Sequence, residues 1–315
     1  MGSDLYRIVL LGGLLPGLIV GVGLLLLFGL LRGEGRDGLR EHGRRLRWGA
    51  PLLFFLGYLA VQGATGKIGP ELWSSSVGDR FLGLGALGLA CALLDAVSPW
   101  RLLGRLGTAI GGALATWMIV VVLHPHLLGT GDVVWWSVLG GVGCVLGVWL
   151  QERFETRRGV VEAAQAALLV GGLMGLLYWS GQAPNVPELG GIQGMLVAAG
   201  MASVLTGGVS LARGGWTFLA IVLAGYLALA RTLGDITPPD LAVALVLAGV
   251  VTGALGRWVG ARARNAILGG LIALVFAAAP IGAGAFLAWR AYDSVGADSD
   301  GDGDDDVYYY TDDDE

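Results

Sequence analysis

The stretch that decides the fold is VVWWSVLGGVGCVLGVWL, residues 133–150, which contains no charged side chain. Wound as an α-helix at 1.5 Å per residue, an apolar run of this length is close to the thickness of a hydrocarbon core, about 30 Å. An apolar strand of a soluble protein would be much shorter, about 4–8 residues. The run therefore predicts a transmembrane helix.

Nine other apolar stretches follow the same pattern. The ten predicted spans are residues 6–31, 49–63, 81–98, 104–123, 133–150, 160–179, 191–212, 216–233, 241–259 and 265–289. The first is longer than the apolar region of a signal peptide and no small-x-small cleavage site follows it, so we interpret it as a true span. The sequence thus predicts an all-α, polytopic transmembrane helix bundle, one domain over residues 1–290.

Composition agrees with a membrane protein. The chain has 315 residues, of which 55% are hydrophobic and 14% charged, and its mean hydropathy is +0.69. A soluble domain carries about 25% charged residues, and fewer would leave large apolar patches in water. No nucleic-acid partner is indicated.

Glycine is abundant, with 56 residues, and in membranes it allows helix backbones to approach closely. Four pairs have the small-xxx-small spacing and predict close helix crossings: Gly17/Gly21, Gly107/Gly111, Gly143/Gly147 and Gly256/Gly260. Pro16, and Pro280 with Gly282 and Gly284, are predicted to kink or interrupt the first and last spans. An inverted repeat of two five-span halves is an open alternative.

Basic residues give the orientation. Connections after odd-numbered spans carry 15 Arg, against five Arg or Lys elsewhere. The positive-inside rule then places both termini outside the cytoplasm. We expect the membrane to be the cell (plasma) membrane. Arg32, Arg36, Arg40 and Arg44 recur every four residues and are predicted to contact anionic lipid headgroups on the cytoplasmic side, while docking of a partner or of a specific lipid is the alternative.

The last residues, 291–315, are predicted to form a disordered, acidic, extracytoplasmic tail. Asp293–Glu315 contains eleven acids and no base. Asp298, Asp300, Asp302 and Asp304 resemble the first half of a calcium loop, but Tyr309 stands where such a loop needs a glutamate. Calcium at the tail is therefore a weak prediction, and no other cofactor is predicted.

Few polar residues lie near the membrane interior. Asp95 and Glu162, close to the predicted cytoplasmic face, are candidates for a gate or for interfacial acids satisfied by neighbours. Arg101 and Arg105 could pair with Asp95, and the helix dipole favours Glu162 in a first turn. His124 and His126 form a weak metal pair, and Arg231 with Asp235 a predicted ion pair.

The function itself is not fixed by these patterns. No catalytic motif is recognisable, and no ionisable residue falls near the middle of a predicted span, which argues against a proton-coupled pump. We expect an accessory or scaffold component of a membrane complex with membrane protein partners. The alternatives are a facilitative or lipid-type transporter, which a cavity near the midplane would support, and an interfacial membrane enzyme.

Overall fold

A computed structural model of the chain describes residues 10–32, 38–67, 77–98, 100–121, 129–154, 159–206, 211–232, 236–263 and 265–299. Within those ranges the structure contains ten α-helices and no strand. The helices are α1 (Leu15–Arg32), α2 (Gly38–Ala64), α3 (Val77–Val97), α4 (Arg101–Val120), α5 (Thr130–Arg153), α6 (Gly159–Trp179), α7 (Val186–Thr206), α8 (Ala212–Thr232), α9 (Asp240–Gly260) and α10 (Ala266–Ser299).

Eight of the described helices, α3 to α10, are long and apolar enough to cross a membrane. Two shorter apolar segments precede them. Gly12–Phe28 lies in α1 and the turn before it, and Trp48–Ala64 lies in α2. The prediction of a multi-pass helical membrane protein is confirmed at this level.

Proline affects the first and last helices differently. A π-helical turn, Leu10–Leu14, runs directly into α1, and Pro16 lies at the second position of α1, at this change of helix type. Pro280, in contrast, lies inside α10, which continues through it without a break. The helix also extends to Ser299, beyond the point where the acidic tail is predicted to begin, and residues 300–315 lie outside the described part.

Helix α7 corrects one predicted span. The predicted span over 191–212 lies too late in the chain, because α7 begins at Val186, directly after a short 3-10 turn, Ala183–Asn185. The sequence pattern favours a loop around Pro187, yet proline is well tolerated in the first turn of a helix. The correction brings Glu188 into a transmembrane helix.

Helix α8 is the centre of the bundle, packing against α2, α3, α4, α5 and α6. Its Phe218 and Tyr226 are fully buried. Helix α5, at the periphery, packs mainly on α4. Helix α1 lies along α7, whereas its counterpart in a five-plus-five repeat, α6, has no extensive contact with α2 among the described residues.

Candidate functional site: an apolar cleft between α5 and α9

Among the described residues the candidate for binding is a cleft of about 410 Å³, with α5 and α9 as its walls and α6 and α8 as its floor. Small-molecule sites in proteins range from about 300 to 1,000 Å³. The lining is mostly aliphatic and includes Leu146, Leu169, Leu223, Val246 and Leu247. Along α5 it extends from Trp136 to Gln151, about 22 Å at 1.5 Å per residue, so it follows most of the hydrocarbon thickness.

The cleft opens sideways, out of the bundle. Its rim residues are about half exposed: Val142 at 52% and Leu146 at 53% on α5, and Leu247 at 44% on α9. Helices α5 and α9 touch each other only slightly. In a bilayer this opening faces the acyl chains, because the exposed surface around it is apolar.

Two glycines widen the cleft on the α5 side, because they place no side chain in it. Gly143 and Gly147 line the cleft, and a Cβ atom on either would meet no heavy atom within 4 Å. The predicted close helix crossing is therefore wrong for this pair. The other three pairs do lie against neighbouring helices; a Cβ atom at Gly17, for example, would be 3.1 Å from the Gly194 carbonyl oxygen.

Polar side chains lie at the end of the cleft that the charge pattern predicts to be cytoplasmic. Gln151, in the last turn of α5, accepts a hydrogen bond at Oε1 from Nη2 of Arg257, a buried residue of α9. Gln165 on α6 donates from Nε2 to the carbonyl oxygens of Gly253, at 3.0 Å, and Ala273, at 2.9 Å. This side chain therefore ties α6 to both α9 and α10.

At the opposite end the cleft is bounded by Trp136. The Arg231 guanidinium lies 5.7 Å from the centre of the Trp136 ring and forms an ion pair with Asp240 at 2.7 Å. Asp235, the predicted partner of Arg231, lies outside the described residues. Since Asp240 neutralises Arg231, this end offers a ligand mainly an aromatic surface.

A second polar cluster joins the helix ends on this same predicted extracytoplasmic side. Glu188 of α7 is fully buried; its carboxylate pairs with Lys67 and accepts hydrogen bonds from Tyr226 and, at 3.0 Å, from Gln62. Lys67 also donates to Asn185 Oδ1 at 2.6 Å. The cluster links α2, α7 and α8, and sequence reasoning missed it. A proline followed by an acid is typical of a first helical turn and was the available signal.

The predicted gate residues are not brought together. Asp95 on α3 is 2% exposed and accepts a hydrogen bond from Thr217 Oγ1 at 3.0 Å. Glu162 is buried in the first turn of α6, a helix that has no extensive contact with α3 in the described structure. A gate at these positions stays a prediction.

Most of the remaining predicted site residues lie outside the described part of the chain. His124, His126, Arg36, Asp300, Asp302 and Asp304 lie outside the described residues. Arg32 ends α1, Arg40 and Arg44 belong to α2, and Asp298 lies near the end of α10. The described ranges hold no group of three or more His, Cys, Asp or Glu suited to a metal ion.

Comparison of the chain with protein-family models, with curated proteins and with solved structures finds no match. The functional argument therefore rests on the geometry of the cleft.

Proposed function

We propose that the protein is a lipid-type transporter that binds the apolar chain of an amphipathic lipid in the cleft between α5 and α9. The observation that carries the proposal is the lateral opening of an elongated, aliphatic cavity toward the membrane. A water-soluble solute would lose its hydration there and find few hydrogen-bonding groups in return. An acyl or prenyl chain loses no hydration, because it comes from an equally apolar surrounding.

Shape supplies the affinity for such a chain. A lipid tail gains no hydrophobic energy by leaving other tails, so binding depends on van der Waals contact and on polar groups near the ends. Leu146 and Leu247 on the two rims, with Leu223 on the floor, surround a chain on three sides. Gly147 leaves the room that the chain needs on the fourth.

Native mass spectrometry tests the proposal, on protein extracted from its own membrane with minimal detergent. We expect wild type to retain a lipid at about one copy per chain. Gly147→Leu should lose it, since the new side chain enters the open space of the cleft. Gly282→Leu, at an exposed glycine of α10 with equal room, is the matched control and should retain it.

Two results would overturn the transporter proposal: wild type without lipid, or equal lipid retention by Gly147→Leu and wild type. The accessory-component hypothesis stays a prediction, and the same spectra bear on it. Stoichiometric partner proteins bound to a lipid-free wild type would favour it.

We further propose that all ten helices cross a plasma membrane, with both termini outside the cytoplasm. The support is the three-to-one excess of bases in alternate connections, together with the packing of α1 along α7 and of α2 along α3. Single-cysteine labelling of intact cells, in a chain lacking Cys91 and Cys144, checks this. A cysteine at position 36 should stay unlabelled by an impermeant reagent and one at position 183 should react; the reverse pattern would refute the orientation.

A further inference from the structure

We infer that the lipid taken by the cleft is an acidic amphiphile, whose carboxylate or phosphate head lies against Gln151 at the end of α5. The inference rests on the proposed function and adds the class of substrate. It depends on the hydrogen-bonding state of Gln151, on the cation behind it and on the contrast with the other end of the cleft.

Gln151 presents donors that the protein itself does not use. The side chain lines the cleft and is 5% exposed, and its Oε1 is engaged by Arg257. The Nε2 group carries two N–H donors, for which the described structure provides no acceptor. Gln165 Oε1 is also without a partner but is fully buried, whereas the Gln151 donors belong to a side chain that lines the cleft. A ligand in the cleft that offers an acceptor oxygen would satisfy these donors.

Arg257 makes an anionic acceptor the best match. Its guanidinium is permanently charged, 2% exposed and bonded to the amide oxygen of Gln151. A cation on the oxygen polarises the amide, which strengthens its N–H groups as donors. Hydrogen bonds in which one partner is ionised are shorter and stronger than neutral ones, so a carboxylate or phosphate gains more than an alcohol does.

The two ends of the cleft give the ligand a direction. The head lies at Gln151, where the unused donors are, and the tail extends along the aliphatic lining toward Trp136.

Chain-matched probes test the inference on the purified full-length protein. Hexadecanoate, hexadecyl phosphate and hexadecanol compete with a fluorescent long-chain probe in detergent. For wild type we expect at least one of the two anions to bind about tenfold or more tightly than hexadecanol, the size of one charge-assisted hydrogen bond. The tighter of the two anions identifies the head as a carboxylate or a phosphate.

Gln151→Glu is the decisive variant. It keeps an oxygen acceptor for Arg257, so the buried arginine stays bonded, but it removes both N–H donors and adds a negative charge. Hexadecanol binding should remain, whereas the preference for anions should disappear. Gln193→Glu is the matched control: Gln193 of α7 donates to the Ala167 carbonyl oxygen at 3.4 Å and does not line the cleft.

The outcomes separate the two proposals. Equal affinity of wild type for anions and alcohol, or an anion preference that survives Gln151→Glu, would overturn the acidic-head inference and leave chain binding intact. Failure of every probe to displace the fluorescent chain would instead overturn the proposed function.

Discussion

Two glycine pairs with identical spacing have opposite surroundings in this bundle. Gly256 and Gly260 of α9 lie directly against α10: a Cβ at Gly256 would be 2.7 Å from Phe276 Cβ, and one at Gly260 would overlap the carbonyl oxygen of Gly269. Gly143 and Gly147 of α5 have no heavy atom within 4 Å of the same position. The spacing is thus compatible with a closed crossing and with an open binding surface.

The partner helix decides between these two outcomes. Gly260 has another glycine opposite it, since a Cβ at Gly269 would in turn overlap the Gly260 carbonyl oxygen. The two backbones can therefore meet directly. Across the cleft from the α5 pair, α9 contributes larger side chains such as Leu247 and Val250 to the lining. A glycine pair that faces such side chains has no matching small surface to pack on, and the small residues on α5 then leave a gap.

The largest expected effect is at the closed crossing. Gly260→Leu would place a side chain against backbone atoms, which cannot rotate away, so we expect a loss of about 3 kcal/mol or more in the free energy of unfolding. Thermal unfolding in detergent and the yield of monodisperse protein measure it. Gly282→Leu is the control at an open α10 position. If Gly260→Leu were as stable as this control, the close approach of α9 and α10 would be refuted.

A smaller loss is expected in the polar cluster, away from both glycine pairs. Glu188→Ala removes the shared acceptor of Lys67, Gln62 and Tyr226, and should lower the free energy of unfolding by about 2–4 kcal/mol. The loss stays below the full cost of an unpaired buried charge, because the Lys67 side chain is 20% exposed.

Glu188→Gln keeps an acceptor oxygen and should lose less. Both variants should retain the lipid in native mass spectrometry, since Glu188 does not line the cleft. Lipid loss in Glu188→Gln with unchanged thermal stability would mean that the cluster belongs to the binding site, and the contrast between a closed and an open region would no longer hold.

Local patterns predict the helices well and their contacts poorly. The uncharged run over 133–150 is enough to predict α5, because a single helix must satisfy its own backbone in lipid. The predicted start of α7 is wrong because Pro187 favours a loop and a first helical turn alike. Nothing near Gln165 in sequence indicates its partners, Gly253 and Ala273, which are 88 and 108 residues away. The cleft is equally a product of long-range packing, so no motif indicates it.

The smallest expected effect comes from a Gly→Ala substitution in each pair. We expect the two changes in the free energy of unfolding to have opposite signs. Gly147→Ala should raise the free energy of unfolding by about 0.5–1 kcal/mol, because alanine loses less backbone entropy in a helix and its methyl group meets open space. Gly256→Ala has the same intrinsic advantage, but its methyl group would be 2.9 Å from Ala273 Cα, so it should lower the free energy of unfolding instead.

Paired denaturation of the two variants in one detergent measures both changes. A rise for both variants would mean that α9 can move off α10 at little cost, and a fall for both would mean that α5 has a neighbour in front of Gly147. Only changes of opposite sign in the free energy of unfolding agree with the structure, in which glycines of the same spacing form a close crossing on α9 and an open surface on α5.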